Sequence, residues 1–121
     1  MSLQSLIRRH GSTATLYRPT RARNAGGAST TTFAPAAVAI RVLLDVPDAE
    51  VVQRVFGAGT RCDLRAMVLK DVAVADQDGL SITAGWRAGE HYDIERIADF
   101  DQGRSHAHWE IALVRRPMGF V

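Results

Sequence analysis

The chain has 121 residues, 46% hydrophobic and 23% charged, the size and balance of one soluble globular domain rather than a disordered segment. No apolar run is long enough to cross a bilayer as a helix, and the single cysteine, Cys62, excludes an intrachain disulfide or redox pair. The net charge of +2 is uneven: residues 1–45 hold six arginines against Asp45, a net of +5, while residues 46–121 hold nine basic and twelve acidic groups, a net of −3. One end is therefore suited to a polyanion and the other to a basic partner.

Arginine outnumbers lysine 14 to 1, which favours planar, bidentate contacts, although a GC-rich genome gives the same bias. Met1 to Leu3 opens an amphipathic segment and not a signal peptide, so synthesis in the cytoplasm is expected. Ser2 to Arg9 reads as a short helix with Ser2 as cap, Leu3, Leu6 and Ile7 on one face, and Gly11 at its end. Ser12 to Arg18 is rich in β-branched and aromatic residues and reads as a strand that Pro19 closes. Thr20 to Ser29, with two adjacent glycines and two arginines, reads as a flexible hairpin tip, and Thr30 to Phe33 resumes β character. Ala37 to Val46 is apolar enough for a central strand. Pro47 and Asp48 then start a helix with Val51, Val52, Val55 and Phe56 on one face, ended by Gly57 and Gly59.

Thr60 to Leu69 resembles a strand entering a poorly patterned connection, Asp76 to Gly79 a solvated turn, and Leu80 to Thr83 a brief strand. After Trp86 and Gly89, Tyr92, Ile94, Arg96 and Ala98 fall on one side of a period-two pattern, with Asp93, Glu95, Ile97 and Asp99 on the other. A turn at Asp101-Gln102-Gly103 leads to a last strand, His108 to Arg116, and Pro117 onward reads as a tail. The elements describe a mainly β fold, a small β-barrel or sandwich-like meander with a short N-terminal helix and one helix inserted between strands. The whole chain, 1–121, reads as one domain, with 1–10 and 117–121 as terminal segments.

Little in this pattern points to reaction chemistry. His106 and His108 share a strand face, as two zinc ligands must, and His91, Cys62 or Asp101 could join them; no second ligand pair exists, so an exposed strand-end pair is the preferred reading. His10 reads as a helix-end residue near free carbonyls. Asp76 and Asp78 lack the later acidic ligand of a calcium loop. Asp93, Glu95, Asp99 and Asp101 alternate with apolar residues and read as a salt-bridging surface rather than an acid–base pair. Cys62 is expected to be a small buried hydrophobe, and Trp86 and Trp109 core or interface residues. Arg18, Arg21 and Arg23, around the glycine-rich tip, can touch phosphates by charge or reach a neighbouring subunit. No catalytic, cofactor-binding or metal-ligating set is assigned, and the chain is expected not to be an enzyme.

Taken together, the strand TATLYR, a glycine-containing hairpin, STTTF, AVAIRVLL, the helix DAEVVQRV, the segment WRAGEHYDIERIADF and the strand WEIALVRR resemble the head–tail joining proteins of tailed bacteriophages. These are the neck components called stoppers, connectors or head-completion proteins. The resemblance spans roughly Gly11 to Val114, and its most specific part is W-R-x-G-x-x-Y-x-I-x-x-I, Trp86 to Ile97. It implies a β-barrel in a homo-oligomeric ring, a hexamer, between the portal–adaptor assembly and the tail. There it would join head to tail and help retain packaged double-stranded DNA, with no cofactor and no membrane. It also implies that Thr20 to Ser29, with its arginines, or the insertion Val46 to Gly59 narrows the channel, and that terminal residues Leu3, Leu6, Ile7, Arg115, Arg116 and Phe120 dock on adjacent rings. Two other readings stay open: a phage tail-completion or tail-terminator ring, and a small barrel binding single-stranded nucleic acid, which needs exposed aromatic positions although Tyr17, Phe33, Tyr92 and Trp109 sit in buried-looking patterns.

Overall fold

The first helix begins where the sequence places its cap. The Ser2 hydroxyl accepts from the Ser5 amide at 3.1 Å, and α1 runs Leu3–His10 with Ile7 buried. Gly11 follows for reasons of space: a Cβ there would stand 2.3 Å from the Ile7 carbonyl oxygen and 2.8 Å from that of Val42. The computed structural model describes residues 2–23, 25–36, 38–100 and 107–120. Beyond α1 it contains β1 (Ser12–Arg23), β2 (Ser29–Pro35), β3 (Ile40–Asp45), α2 (Ala49–Phe56), β4 (Leu64–Leu69), β5 (Gly79–Ala84), β6 (His91–Phe100) and β7 (His108–Arg116).

All strand pairings are antiparallel, in the order β2-β1-β3-β4-β7-β6-β5, and β5 returns to pair with β1 from Thr13 to Tyr17. Six strands thus close a barrel, with β2 as one additional strand. Closure gives each barrel strand a neighbour on both sides over part of its length, and leaves the outer edge of β2 and the edge of β1 past Tyr17 without a described strand partner. Even-numbered residues of β1 and β4 point inward, so Ala14, Leu16, Leu64, Ala66 and Val68 join Val42, Leu80, Ile82, Tyr92, Ile111 and Leu113 in the core. α2 covers an outer wall: Val52 and Phe56 bury Ala112 of β7, with Val55, Cys62 and Ala98 half-buried around them. Asp48 caps this helix by accepting from the Val51 amide at 2.9 Å, and Gly57 ends it at φ +97°.

Three sequence expectations are corrected here. Pro19 does not close β1, which continues to Arg23. The Ala36 amide donates to the Leu16 carbonyl, so the backbone N–H and C=O groups of even-numbered β1 residues face β2, while the backbone of Pro19, lacking an N–H, faces the edge where β5 pairing has already stopped at Tyr17. The hairpin tip expected over Thr20 to Ser29 is therefore shorter, with Thr20 to Arg23 and Ser29 belonging to the strands. Second, the alternation expected along β6 breaks. A β-bulge between Ile94 and Arg96 leaves Glu95 without a cross-strand partner, which turns Ile97 toward the core and Ala98 toward α2. Third, β3 and β4 are shorter than their apolar runs, beginning at Ile40 and Leu64. The expected turn at Asp101 to Gly103 and the residue His106 lie outside the described residues.

Candidate functional site

Beyond Tyr17, β1 keeps β2 as its only described partner, and the two strands project from the barrel as a ribbon. Its register runs from Tyr17 opposite Pro35 to Arg23 opposite Ser29, and Thr30 and Thr32 hydroxyls bond to the Ala22 and Thr20 carbonyls across it. Every β2 residue except Phe33 is exposed, and none is charged. The three ribbon arginines are not brought together. Arg21 and Arg23 lie exposed on one face near the tip, whereas Arg18 lies on the opposite face, in line with Leu16. There Arg18 donates to the Ala73 carbonyl at 2.7 Å and stands 3.8 Å from the Asp78 carboxylate. Asp78 is only 3% exposed and accepts from the Ala75 amide, so Asp76 to Gly79 is an ordered, partly buried turn rather than the solvated one expected.

The base of the ribbon is fastened by the C-terminal segment. Phe120 stacks on Tyr17 with ring centroids 4.9 Å apart, meets Phe33 edge-on at 5.0 Å, and lies under the Arg116 guanidinium at 4.1 Å. Gly79 makes room for it, since a Cβ there would be 2.1 Å from Phe120 Cε1. Arg116 also pairs with Asp93 at 3.2 Å, and Arg115 with Glu90 at 2.9 Å. At the other terminus Ile7 is fully buried within the chain's own fold, and Leu3 and Leu6 are half-buried.

The loop of the W-R-x-G-x-x-Y motif is tightly built. Gly85 and Gly89 sit at φ +93° and +91°, and Arg87, at φ +70°, holds a left-handed conformation unusual outside glycine. The Ser12 hydroxyl donates to the Trp86 carbonyl at 2.9 Å. Trp86, expected in a core or interface, is 52% exposed with the Arg87 guanidinium 4.7 Å from its ring. Behind it Glu90 accepts from Tyr92, Arg87 and Arg115. Burial works to raise the Glu90 carboxyl, but the Tyr92 hydrogen bond and the two guanidinium groups outweigh it and hold it below its ordinary value. Burial and the Glu90 carboxylate push the Tyr92 hydroxyl up to about 12.

Other residues singled out in the sequence have structural partners. His108 is not an exposed strand-end residue: it is buried, 3.0 Å from Glu110 through Nε2, and stacked on Phe100. Glu110 also accepts from Arg65 at 3.0 Å, which binds Asp45 through two further nitrogens. Lys70 pairs with Asp99 and sits over Trp109, whose Nε1 donates to the Val72 carbonyl. Cys62 is half-buried rather than fully buried; its thiol donates to the Leu64 carbonyl, and burial pushes its pKa up, away from reactivity. Among the described residues, no group of three or more His, Cys, Asp or Glu is placed to hold a metal ion. None of the described helices is long and apolar enough to cross a membrane.

The sequence reading missed a cleft of about 510 Å³ at the barrel mouth, lined by Arg8, Arg18 and Arg41 together with Leu16, Ile40 and Val72. Arg41 was findable, because it alternates with inward Ile40 and Val42. Arg8 was not, because its approach depends on α1 packing against β3 and β4.

No protein-family model and no curated protein matches the chain. Among solved structures, it is similar in fold to the solution structure of protein SF1141 from Shigella flexneri 2a. The TM-score is 0.66 at 12% identity, covering 89% of this chain and 94% of that one. At that identity the likeness concerns the fold alone.

Proposed function

We propose that this chain is a structural virion neck protein, a ring subunit that joins the DNA-filled head to the tail and helps to retain the packaged DNA. The observation that carries the reading is the β1–β2 ribbon, which extends past a closed barrel with Arg21 and Arg23 exposed on one face and an uncharged free edge on β2. A ring, hexameric in this reading, repeats that weak positive charge once per subunit around a shared channel, where it meets phosphates without reading sequence. From Ser29 to Ala34 the free edge carries no charge, proline or bulge and so suits pairing with a neighbouring copy, Pro35 limiting it at the base. The resemblance carried by Trp86 to Ile97 supports the same assignment. The portal–adaptor ring and the tail are the partners in this reading, and the virion neck is the location.

The nucleic-acid-binding alternative draws on Trp86, whose exposed ring beside Arg87 is a stacking surface. Co-sedimentation separates the two. Purified chain mixed with DNA-filled, tailless heads of the phage that encodes it is expected to pellet with them and to be seen by gold labelling at one vertex. Binding to free single-stranded DNA, with none to heads, favours the alternative.

A further inference from the structure

The mouth of the barrel opens where β3 stops short. β1 and β3 pair from Ser12 to Ala14 against Ile40 to Val42, and past Ile40 the strand ends while β1 continues through Leu16 and Arg18. The gap leaves Leu16, Ile40 and Val72 as an aliphatic floor, with Arg8 from α1, Arg18 from β1 and Arg41 from β3 at its sides. Three separate elements thus each contribute an arginine to the lining of one cleft.

Two of these guanidinium groups are held in place by bonds that leave donors in hand. Arg41 donates one nitrogen to the Thr13 hydroxyl and another to the Arg8 carbonyl, each at 3.0 Å. Arg18 is fixed by the Ala73 carbonyl and the Asp78 carboxylate. A guanidinium has five N–H donors, so each keeps some for a ligand. The one acid among the described lining residues is Asp71, and Asp78 pairs with Arg18, so the three arginines leave the cleft a small net positive charge above an apolar floor. The volume is in the range of sites that bind small molecules or single side chains.

We propose that this cleft is a docking site for a partner protein segment in which an aliphatic side chain is flanked by carboxylates. The aliphatic group fills the space over Leu16, Ile40 and Val72, and the carboxylates take the planar, bidentate contacts that arginine favours. Nucleic acid fits less well, because the floor is aliphatic and lacks an aromatic ring on which a base would stack. The site shares Arg18 with the base of the ribbon but is independent of the neck assignment, since it requires only a partner of this chemistry.

The test is selection from a displayed random-peptide library against the full chain, followed by titration of the enriched synthetic peptides. Enrichment of sequences with Leu, Ile or Val within three positions of two or more Asp or Glu residues is expected. Arg8→Glu and Arg18→Glu should each weaken such a peptide about 10-fold or more, while Arg54→Glu on α2 should leave its affinity within about twofold. Circular dichroism spectra and melting of each variant identify any that fails to fold, and Val72→Glu, which places a carboxylate on the floor, provides a second way to block the site. Enrichment of peptides without acidic residues, no enrichment, or binding indifferent to Arg8→Glu, Arg18→Glu and Val72→Glu would overturn the proposal. Displacement of the enriched peptide by duplex DNA, with DNA binding lost in Arg8→Glu, would also overturn it and assign the cleft to nucleic acid.

Discussion

Gly79 and Phe120 depend closely on one another. Because a Cβ on Gly79 would overlap the Phe120 ring, Gly79→Ala should expel that ring and cost about 1–3 kcal/mol. In Phe120→Ala the same Gly79 change should cost much less, a non-additivity that urea denaturation of the four variants would measure. The pair Glu90 and Tyr92 contributes to the pH dependence of stability. The Glu90 carboxyl is held below its unfolded value, so its contribution is present above the unfolded pKa and is lost as pH falls through the folded one. Tyr92 is pushed up to about 12 from 10, so its contribution is complete below pH 10 and is lost as pH rises toward 12. Titration of tyrosine absorbance is expected to show a component near 12 that disappears in Tyr92→Phe. The Gly79–Phe120 partnership is not visible in the sequence, whereas Glu90 and Tyr92 stand at the two-residue spacing of one strand face. Phe120 lies far along the chain from Tyr17, Phe33 and Gly79, and only barrel closure brings those elements under the tail.

At the scale of elements, the periodic segments were legible and the interruptions were not. The stripe Val51, Val52, Val55, Phe56, with Asp48 before it and Gly57 after it, specifies α2 almost to the residue, because cap, stripe and terminator agree. Phe56→Ala should therefore cost about 3–5 kcal/mol, and Asp48→Ala about 1 kcal/mol, both read by denaturation. In β6 the strict alternation of the sequence was misleading. The bulge at Glu95 reverses the phase so that Ile97 serves the core, and Arg96 instead reaches the Phe56 carbonyl at 2.8 Å. Deleting Glu95 should leave Ile94, Arg96 and Ile97 in regular alternation with Ile97 still opposite Ile111 and facing the core, so it should cost less on denaturation than Ile97→Ala, which should itself cost about 2 kcal/mol or more. β1 misled in the other direction: Pro19 reads locally as a stop, but a strand tolerates proline wherever its missing N–H faces an unpaired edge, and which edge is unpaired is a property of the whole sheet.

For the whole molecule, the mainly β class, the short first helix and the inserted second helix follow from pattern, whereas the closed barrel depends on the β1–β5 pairing, which joins distant parts of the chain. Closure is what separates body from ribbon. The barrel fixes the core, and the β1–β2 extension, with few buried side chains, is free to serve a partner. Exchanging Arg21 and Arg23 for Gln should thus leave the unfolding midpoint nearly unchanged, since both side chains are exposed. In the neck reading, the same exchange weakens DNA retention. The most direct measurement is electron microscopy of DNA-filled heads made without this chain, scored for tail attachment and DNA leakage before and after adding back the purified protein. The expected result is that heads lacking the chain stay tailless or leak, that the wild-type chain restores joining and retention, and that the Arg21→Gln/Arg23→Gln variant restores joining but retains DNA less well. Heads that join tails and hold their DNA normally without the chain would contradict the neck assignment.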